Sequence, residues 1–166
     1  MNTNYDADHD ILNNPFLGKE KIKRNFSQAY QDLFVLTMLE GKRSGKYLEV
    51  GANHPVEFNN TFLLENKFNW KGISVEIDKD MVELFNTVRH NKCDYADGTV
   101  FNFLKKLDGR RWKEKSIDYL SLDCEPAMTT YKILTRIPFD EYKVSVITYE
   151  TDLYKDGPQE RELSRK

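Results

Sequence analysis

The sequence predicts an α/β fold with an open, mainly parallel sheet that has helices on both faces. Short apolar runs alternate with segments of helical periodicity along most of the chain, and parallel strands need a helix to return the chain between them. Several apolar runs end in an acidic residue. The segment Tyr47-Leu-Glu-Val-Gly-Ala-Asn-His-Pro55, followed by Val75-Glu-Ile-Asp78, indicates a strand, a turn at Gly51, a helix and a second strand.

The strands and helices follow from the apolar pattern, the turn residues and the caps. Five strands are predicted, at residues 47–50, 73–76, 92–95, 117–123 and 144–149. A helix at residues 28–40 is predicted to begin at Ser27 as N-cap and to end at Gly41. Further helices are expected at residues 60–68, from Asp78 or Lys79 to 88, at 100–107, at 128–136 and from 159 onward.

Length and composition indicate one domain behind a polar arm. We expect residues 1–24 to form a polar N-terminal arm and residues 25–166 to form a single domain. The net charge of −2 gives no electrostatic reason to expect nucleic acid as a partner. No apolar run approaches the roughly 20 residues of a membrane span, and the N-terminus lacks a secretory signal. Two cysteines without metal or redox spacing favour a cytoplasmic location.

Acidic residues gather at the carboxyl ends of the predicted strands. In open α/β sheets, ligands bind outside those ends, so the concentration of acids predicts a site there. A tight turn at Gly51 and a carboxylate at Glu76 suit a nucleoside, because ribose hydroxyls can donate to the carboxylate. Gly51 is the only glycine of its turn, which disfavours the Gly-x-Gly-x-x-Gly pattern of nicotinamide enzymes. The strand-end acids are Glu49, Glu76, Asp123, Glu125, Glu150 and Asp152.

Seven short motifs, in this order and spacing, resemble those of the FkbM-like family of class I methyltransferases. The likeness covers about residues 26–156, and it implies a Rossmann-like fold, S-adenosylmethionine as cofactor, and methyl transfer to an oxygen of a small molecule or sugar. The motifs are Ser27-Gln-x-x-Gln-Asp32, Glu49-Val-Gly-Ala-Asn53, Asn60-Thr-x-x-Leu-Glu65, Trp70-Lys-Gly72, Val75-Glu76, Asp118-Tyr-Leu-Ser-Leu-Asp-x-Glu125 and Val146-Ile-Thr-x-Glu150.

The resemblance, together with position in the predicted fold, implies roles for residues of the donor site. Glu49 would act as a counter-charge to the amino group of the donor, and Glu76 would accept hydrogen bonds from both ribose hydroxyls. Asn53 can adopt a left-handed conformation and so stand in for a second glycine. Asp97 would face the adenine amino group. The full set of cofactor-binding residues is Glu49, Gly51, Ala52, Asn53, Glu76, Ile77, Asp97 and Asp123.

Three carboxylates are candidates for the general base that an alcohol acceptor needs: Asp123, Glu125 and Glu150. They follow strands four and five, which should be neighbours in the sheet. An alternative is that this acidic cluster holds a divalent metal through oxygen ligands. His54 is a further candidate base, although one histidine beside a turn is more often incidental.

The chain departs from the resemblance most clearly at its C-terminal end. Class I methyltransferase sheets have seven strands and five are predicted here, so the fold would lack the last two strands. We therefore expect a C-terminally short domain with an open sheet edge, which a homodimer could cover. Two other functions stay open. One is an impaired or partner-dependent S-adenosylmethionine-binding domain, and the other is a metal-dependent or nucleotide-binding enzyme on a similar sheet.

Overall fold

A computed structural model describes residues 15–109, 112–151 and 158–165. Its centre is a five-stranded sheet in which every pair of neighbouring strands is parallel, in the order β3-β2-β1-β4-β5. The prediction of a parallel α/β sheet is confirmed. The strands are β1 (Lys46–Val50), β2 (Lys71–Glu76), β3 (Lys92–Tyr95), β4 (Ser116–Leu122) and β5 (Lys143–Tyr149).

Helices connect the strands. Each crossover between parallel strands contains one, as the alternation in the sequence predicts. Before the sheet, a 3-10 turn at Lys19–Lys21 precedes the first helix. The helices are α1 (Gln31–Met38), α2 (Phe62–Phe68), α3 (Lys79–Val88), α4 (Phe103–Leu107), α5 (Ala127–Leu134) and α6 (Gln159–Leu163).

The start of α1 corrects the sequence prediction. Ser27 is not the N-cap residue of this helix, which begins at Gln31 after Tyr30 in a left-handed conformation. The hydroxyl of Ser27 accepts from the backbone amide of Asp32, in the first turn of α1, at 3.3 Å, and donates to the buried carboxylate of the same residue at 2.7 Å. Asp32 also accepts from the backbone amide of Phe26 at 2.8 Å. A side chain of the first helical turn therefore also holds the segment that precedes the helix.

Two apolar clusters cover the two faces of the sheet, because successive side chains of a strand point to opposite sides. On one face, Tyr47 of β1 packs with residues of α1 and α2, including Leu36 and Leu63. On the other face, Leu48 packs with residues of α4 and α5, including Phe103. Helices therefore lie on both faces, as predicted.

The described part of the N-terminal arm packs against the domain. Phe16 is buried, and its ring lies 6.3 Å from that of Phe68 at the end of α2. No helix among the described residues is long and apolar enough to cross a membrane. Asp152, one of the strand-end acids, lies outside the described residues.

Candidate functional site

A cavity of about 700 Å³ opens at the carboxyl edge of the sheet, where the strand order reverses between β1 and β4. That position and that size are typical of small-molecule sites in open α/β sheets. Its wall is formed by the loops that follow β1, β2, β3 and β4, with contributions from the segment before α1 and from α5. The lining residues are Gln28, Gly51, Asn53, Phe58, Val75, Glu76, Ile77, Asp78, Ala96, Asp97, Gly98, Thr99, Asp123, Cys124, Glu125, Thr129 and Ile133.

Gly51 lines the cavity at the point where the backbones of the loops after β1 and β4 meet. It has a φ of 84°, a conformation that residues with a Cβ rarely adopt. A Cβ on Gly51 would lie 1.8 Å from the carbonyl oxygen of Asp123. The amide of Asp123 donates to the carbonyl of Val50 at 3.0 Å. The glycine therefore permits close contact between the ends of β1 and β4, in addition to any contact with a ligand.

Glu76 links the end of β2 to the loop after β1. One carboxylate oxygen accepts from the backbone amide of Asn53 at 2.8 Å. The other accepts from the amides of Ile77 and Asp78 at 2.7 and 2.9 Å. Asn53 adopts the left-handed conformation that the sequence predicts, with a φ of 46°. A carboxylate offers about four acceptor positions, so the oxygen bonded to Asn53 retains one for a ligand hydroxyl.

The loops after β2 and β3 form the far wall of the cavity. Asp78 caps α3 by accepting from the amides of Asp80 and Met81. Asp97 accepts from the amide and the hydroxyl of Thr99, at 2.8 and 2.7 Å. These hydrogen bonds hold the pKa of Asp97 below its ordinary value, so its carboxylate stays ionised. This wall therefore carries fixed negative charge.

Two of the three predicted catalytic acids line the cavity. Asp123 and Glu125 lie on the loop after β4, and the side-chain amide of Asn60 donates to Asp123 at 3.3 Å. Between the two acids, Cys124 also faces the cavity, and burial raises the pKa of its thiol to about 12. The thiol is therefore protonated at neutral pH and is not a nucleophile. Glu150 follows β5, with its amide bonded to the carbonyl of Leu122, and does not line the cavity.

The structure places Glu49 and Ala52 beneath the cavity wall. Both side chains are buried and neither lines the cavity. The carboxylate of Glu49 accepts from the hydroxyls of Ser74 and Thr61, at 2.6 and 3.0 Å. Burial raises the pKa of Glu49 to about 7, against the opposing effect of the nearby Arg89. Glu49 therefore belongs to a group of polar residues inside the fold.

Arg89 is at the centre of that buried group, and no local sequence pattern identifies it as a buried residue. Its guanidinium pairs with Glu65 at 2.8 Å, with both side chains almost fully buried. Burial opposes ionisation of Glu65, yet the charge and hydrogen bonds of Arg89 hold the pKa of Glu65 below its ordinary value. Arg89 follows the end of α3, where sequence pattern indicates only a cation near a helix terminus. Its burial depends on contacts distant in sequence.

The N-terminus of α2 is occupied by a side chain of the protein. Asn59 accepts from the amides of Thr61 and Phe62, at 3.0 and 2.8 Å. In dinucleotide-binding folds the helix after the first strand holds a pyrophosphate with these amides. Here the amides are used by Asn59, which is buried. Among the described residues that line the cavity there is also no lysine, arginine or histidine.

The described residues contain no group of three or more histidine, cysteine, aspartate or glutamate side chains arranged to hold a metal ion. In comparisons with known proteins, no family model, no curated protein and no solved structure matches this chain.

Proposed function

We propose that this protein is an S-adenosylmethionine-dependent methyltransferase that acts on a hydroxyl oxygen of a small molecule or sugar. The observation that carries the proposal is the position of Glu76. Its carboxylate is fixed at the carboxyl edge of the sheet, next to the loop after β1, and it lines a cavity of suitable size. The resemblance of the sequence motifs to FkbM-like methyltransferases agrees with a Rossmann-like site at this edge.

The charge of the cavity favours a nucleoside sulfonium over a nucleotide. Glu76, Asp78 and Asp97 supply carboxylates to the donor half, and the described lining residues supply no cation there. Phosphate groups would meet repulsion in this half. S-adenosylmethionine carries a sulfonium, an ammonium and no phosphate, and its ribose hydroxyls can donate to Glu76.

The residues of the donor half can hold such a cofactor. Glu76 would accept from a ribose hydroxyl through the acceptor position that Asn53 leaves open. Asp97 would face the adenine amino group, while Gly51 and Asn53 would lie along the methionine portion. When bound, the cofactor supplies an electrophilic methyl group. Glu49 lies beneath the cavity wall, so the loop after β1 would separate its carboxylate from the ammonium group of the cofactor.

The acceptor half contains the acids that would take the proton. Asp123 or Glu125 would take the hydroxyl proton of the acceptor, and the cofactor would supply the methyl group to the acceptor oxygen and leave as a neutral thioether. The positions of these two acids on one loop would also align the acceptor with the donor, and alignment is a large contribution in displacement reactions. Glu150 does not line the cavity and would therefore not reach the acceptor hydroxyl from its place after β5.

Isothermal titration with three ligands tests the proposal. We expect S-adenosylmethionine and its demethylated product to bind at one site each, and NAD to release no heat above the buffer control. Binding of NAD alone would refute the proposal in favour of a nucleotide-binding enzyme. Donor binding without methylation of any tested acceptor would support a domain that binds the cofactor and does not use it.

A further inference from the structure

We propose that Arg89 is a positioning residue for the loop of residues 51–61, and that this loop opens when the buried Glu49 loses its proton. We call this segment the β1–α2 loop. Only the consequence for the methyl donor depends on the proposed function, because the loop and the buried group are features of the fold itself.

The guanidinium group of Arg89 donates hydrogen bonds to three residues of the β1–α2 loop. Arg89 donates to the carbonyl oxygen of Pro55 at 2.9 Å and to the side-chain oxygen of Asn59 at 3.1 Å. It also donates to the hydroxyl of Thr61 at 3.1 Å. It also donates hydrogen bonds to Glu65 on α2 and to the hydroxyl of Tyr47 on β1. Arg89 therefore connects the loop to two elements of the rigid fold.

Asn59 connects Arg89 to the wall of the cavity through two hydrogen bonds. While its oxygen accepts from Arg89, its side-chain amide donates to the carbonyl of Ala52 at 3.0 Å. Ala52 lies between Gly51 and Asn53, and both of these residues line the cavity. One buried side chain thus separates Arg89 from the backbone of the proposed donor site.

The buried group contains two carboxylates and one cation. Glu65 takes the direct ion pair with Arg89, whereas Glu49 is bonded to two hydroxyl groups. The other titratable groups that face Glu49 are Tyr47 on β1, Cys93 on β3 and Tyr119 on β4. Burial raises the pKa of each of these three, so all of them are neutral at physiological pH. The net charge of the buried group therefore depends on whether Glu49 carries its proton: Arg89 and Glu65 cancel, and ionised Glu49 adds one negative charge.

Opening of the β1–α2 loop would expose Glu49 to water, because Thr61 and Asn59 lie against it. In water, a glutamate has a pKa near its ordinary value of 4.5, well below the value of about 7 in the closed structure. The open form therefore binds this proton less tightly than the closed form. By linkage, raising the pH favours the open loop until Glu49 is ionised in both forms.

Amide hydrogen exchange of residues 52–62 at pH 6.0 and pH 8.5 tests the inference on the whole chain. After division by intrinsic rates, we expect protection to fall about tenfold in the wild type between these values. Glu49→Gln should remove the fall, and Glu114→Gln, the same change at an exposed position, should retain it. His54, which accepts two amide hydrogen bonds in the loop, is present in all three proteins. Equal pH dependence in the wild type and Glu49→Gln would overturn the inference.

Two further measurements keep the result interpretable. If Glu49→Gln does not fold, Ser74→Ala serves instead: it removes a hydroxyl donor to the carboxylate, so the transition should move to higher pH. An unmoved transition would count against Glu49. Arg89→Lys keeps the charge and loses most of the hydrogen bonds, so loop protection should fall at both pH values. Unchanged protection would refute the role of Arg89.

Addition of S-adenosylmethionine separates this inference from the proposed function. The exchange measurements need no donor, so they stand even if the donor does not bind. If the donor binds as proposed, it should restore loop protection at pH 8.5. Calorimetric binding without restored protection would show that the β1–α2 loop is not part of the donor site.

Discussion

The carboxylate of Glu76 accepts a hydrogen bond from the backbone amide of Asn53, 2.8 Å away, and this contact joins the ends of two neighbouring strands. The sequence predicts an acid at the end of β2 as a ribose ligand. The structure gives it a second task, since the same side chain fixes the left-handed residue of the loop after β1. Donor binding and loop geometry are therefore expected to respond together to changes at Glu76.

We expect Glu76→Ala to weaken binding of S-adenosylmethionine by about 1.5–3 kcal/mol, the range for hydrogen bonds to a charged group. The matched control is Glu83→Ala, which removes an exposed glutamate of α3 and should leave affinity unchanged. Isothermal titration measures both variants. An unaltered dissociation constant for Glu76→Ala would exclude this carboxylate from the donor site.

Gly51→Ala should destabilise the fold because it combines an unfavourable backbone angle with a backbone clash against Asp123. A positive φ alone costs a residue with a Cβ about 1–2 kcal/mol, so we expect a loss of at least about 2 kcal/mol in urea unfolding. Gly109→Ala is the control, since a Cβ at that position meets nothing within 4 Å. Equal stabilities of the two variants would contradict the close contact of β1 and β4.

Stability should fall with rising pH because of Glu49. The pKa of this buried acid is raised from 4.5 to about 7 in the folded chain. Between these values the folded protein retains a proton that the unfolded chain has released, so the free energy of unfolding decreases as pH increases. The loss of stability is roughly 1.4 kcal/mol per pH unit between these two pKa values, or about 3 kcal/mol in all. Above pH 7, Glu49 causes no further loss.

Urea unfolding of the wild type and Glu49→Gln at several pH values isolates this contribution. The difference in stability between the two proteins should grow in favour of the variant from pH 5 to pH 7. A difference that does not change with pH would show that Glu49 is ionised, or neutral, in both states.

Among the three candidate bases, we expect Asp123→Asn or Glu125→Gln to lower the rate of methyl transfer by about 10²–10⁴-fold, the usual range for a general base. Donor affinity should change little in Glu125→Gln, because Glu125 is not one of the residues assigned to the donor. Glu150→Gln, outside the cavity lining, should retain most of the activity. Single-turnover methylation with a common acceptor ranks the three variants, and a larger loss at Glu150 would reverse the assignment.

The sequence predicts the sheet well because its strands have local causes. The pattern of apolar residues and turns locates all five strands within two residues at each end, and their parallel arrangement follows from the intervening helices. The site is predicted in part: Gly51, Asn53, Glu76, Ile77, Asp97, Asp123 and Glu125 line one cavity.

The remaining features depend on contacts that no local pattern contains. Glu49 ends an apolar run just as Glu76 does, yet its side chain is buried inside the fold, where it accepts from Thr61 before α2 and from Ser74 on β2. Arg89 becomes buried through contacts with residues 24 to 42 positions away. Ser27 resembles an N-cap residue in sequence, yet α1 begins at Gln31, and the Ser27 hydroxyl both accepts from the amide of Asp32 and donates to its carboxylate.

Because Gly51 has no side chain, the backbone of the loop after β1 can lie against that of the loop after β4. The loops after β1 and β4 are in backbone contact at Gly51, so under the proposed function the gap between the methyl group and the oxygen that would receive it depends on the positions of both loops. A chain of this kind could accommodate bulkier acceptors only by remodelling its outer rim, at Gln28, Phe58 and Thr129. Selectivity among acceptors would then be adjustable by surface substitutions that leave the reacting geometry untouched.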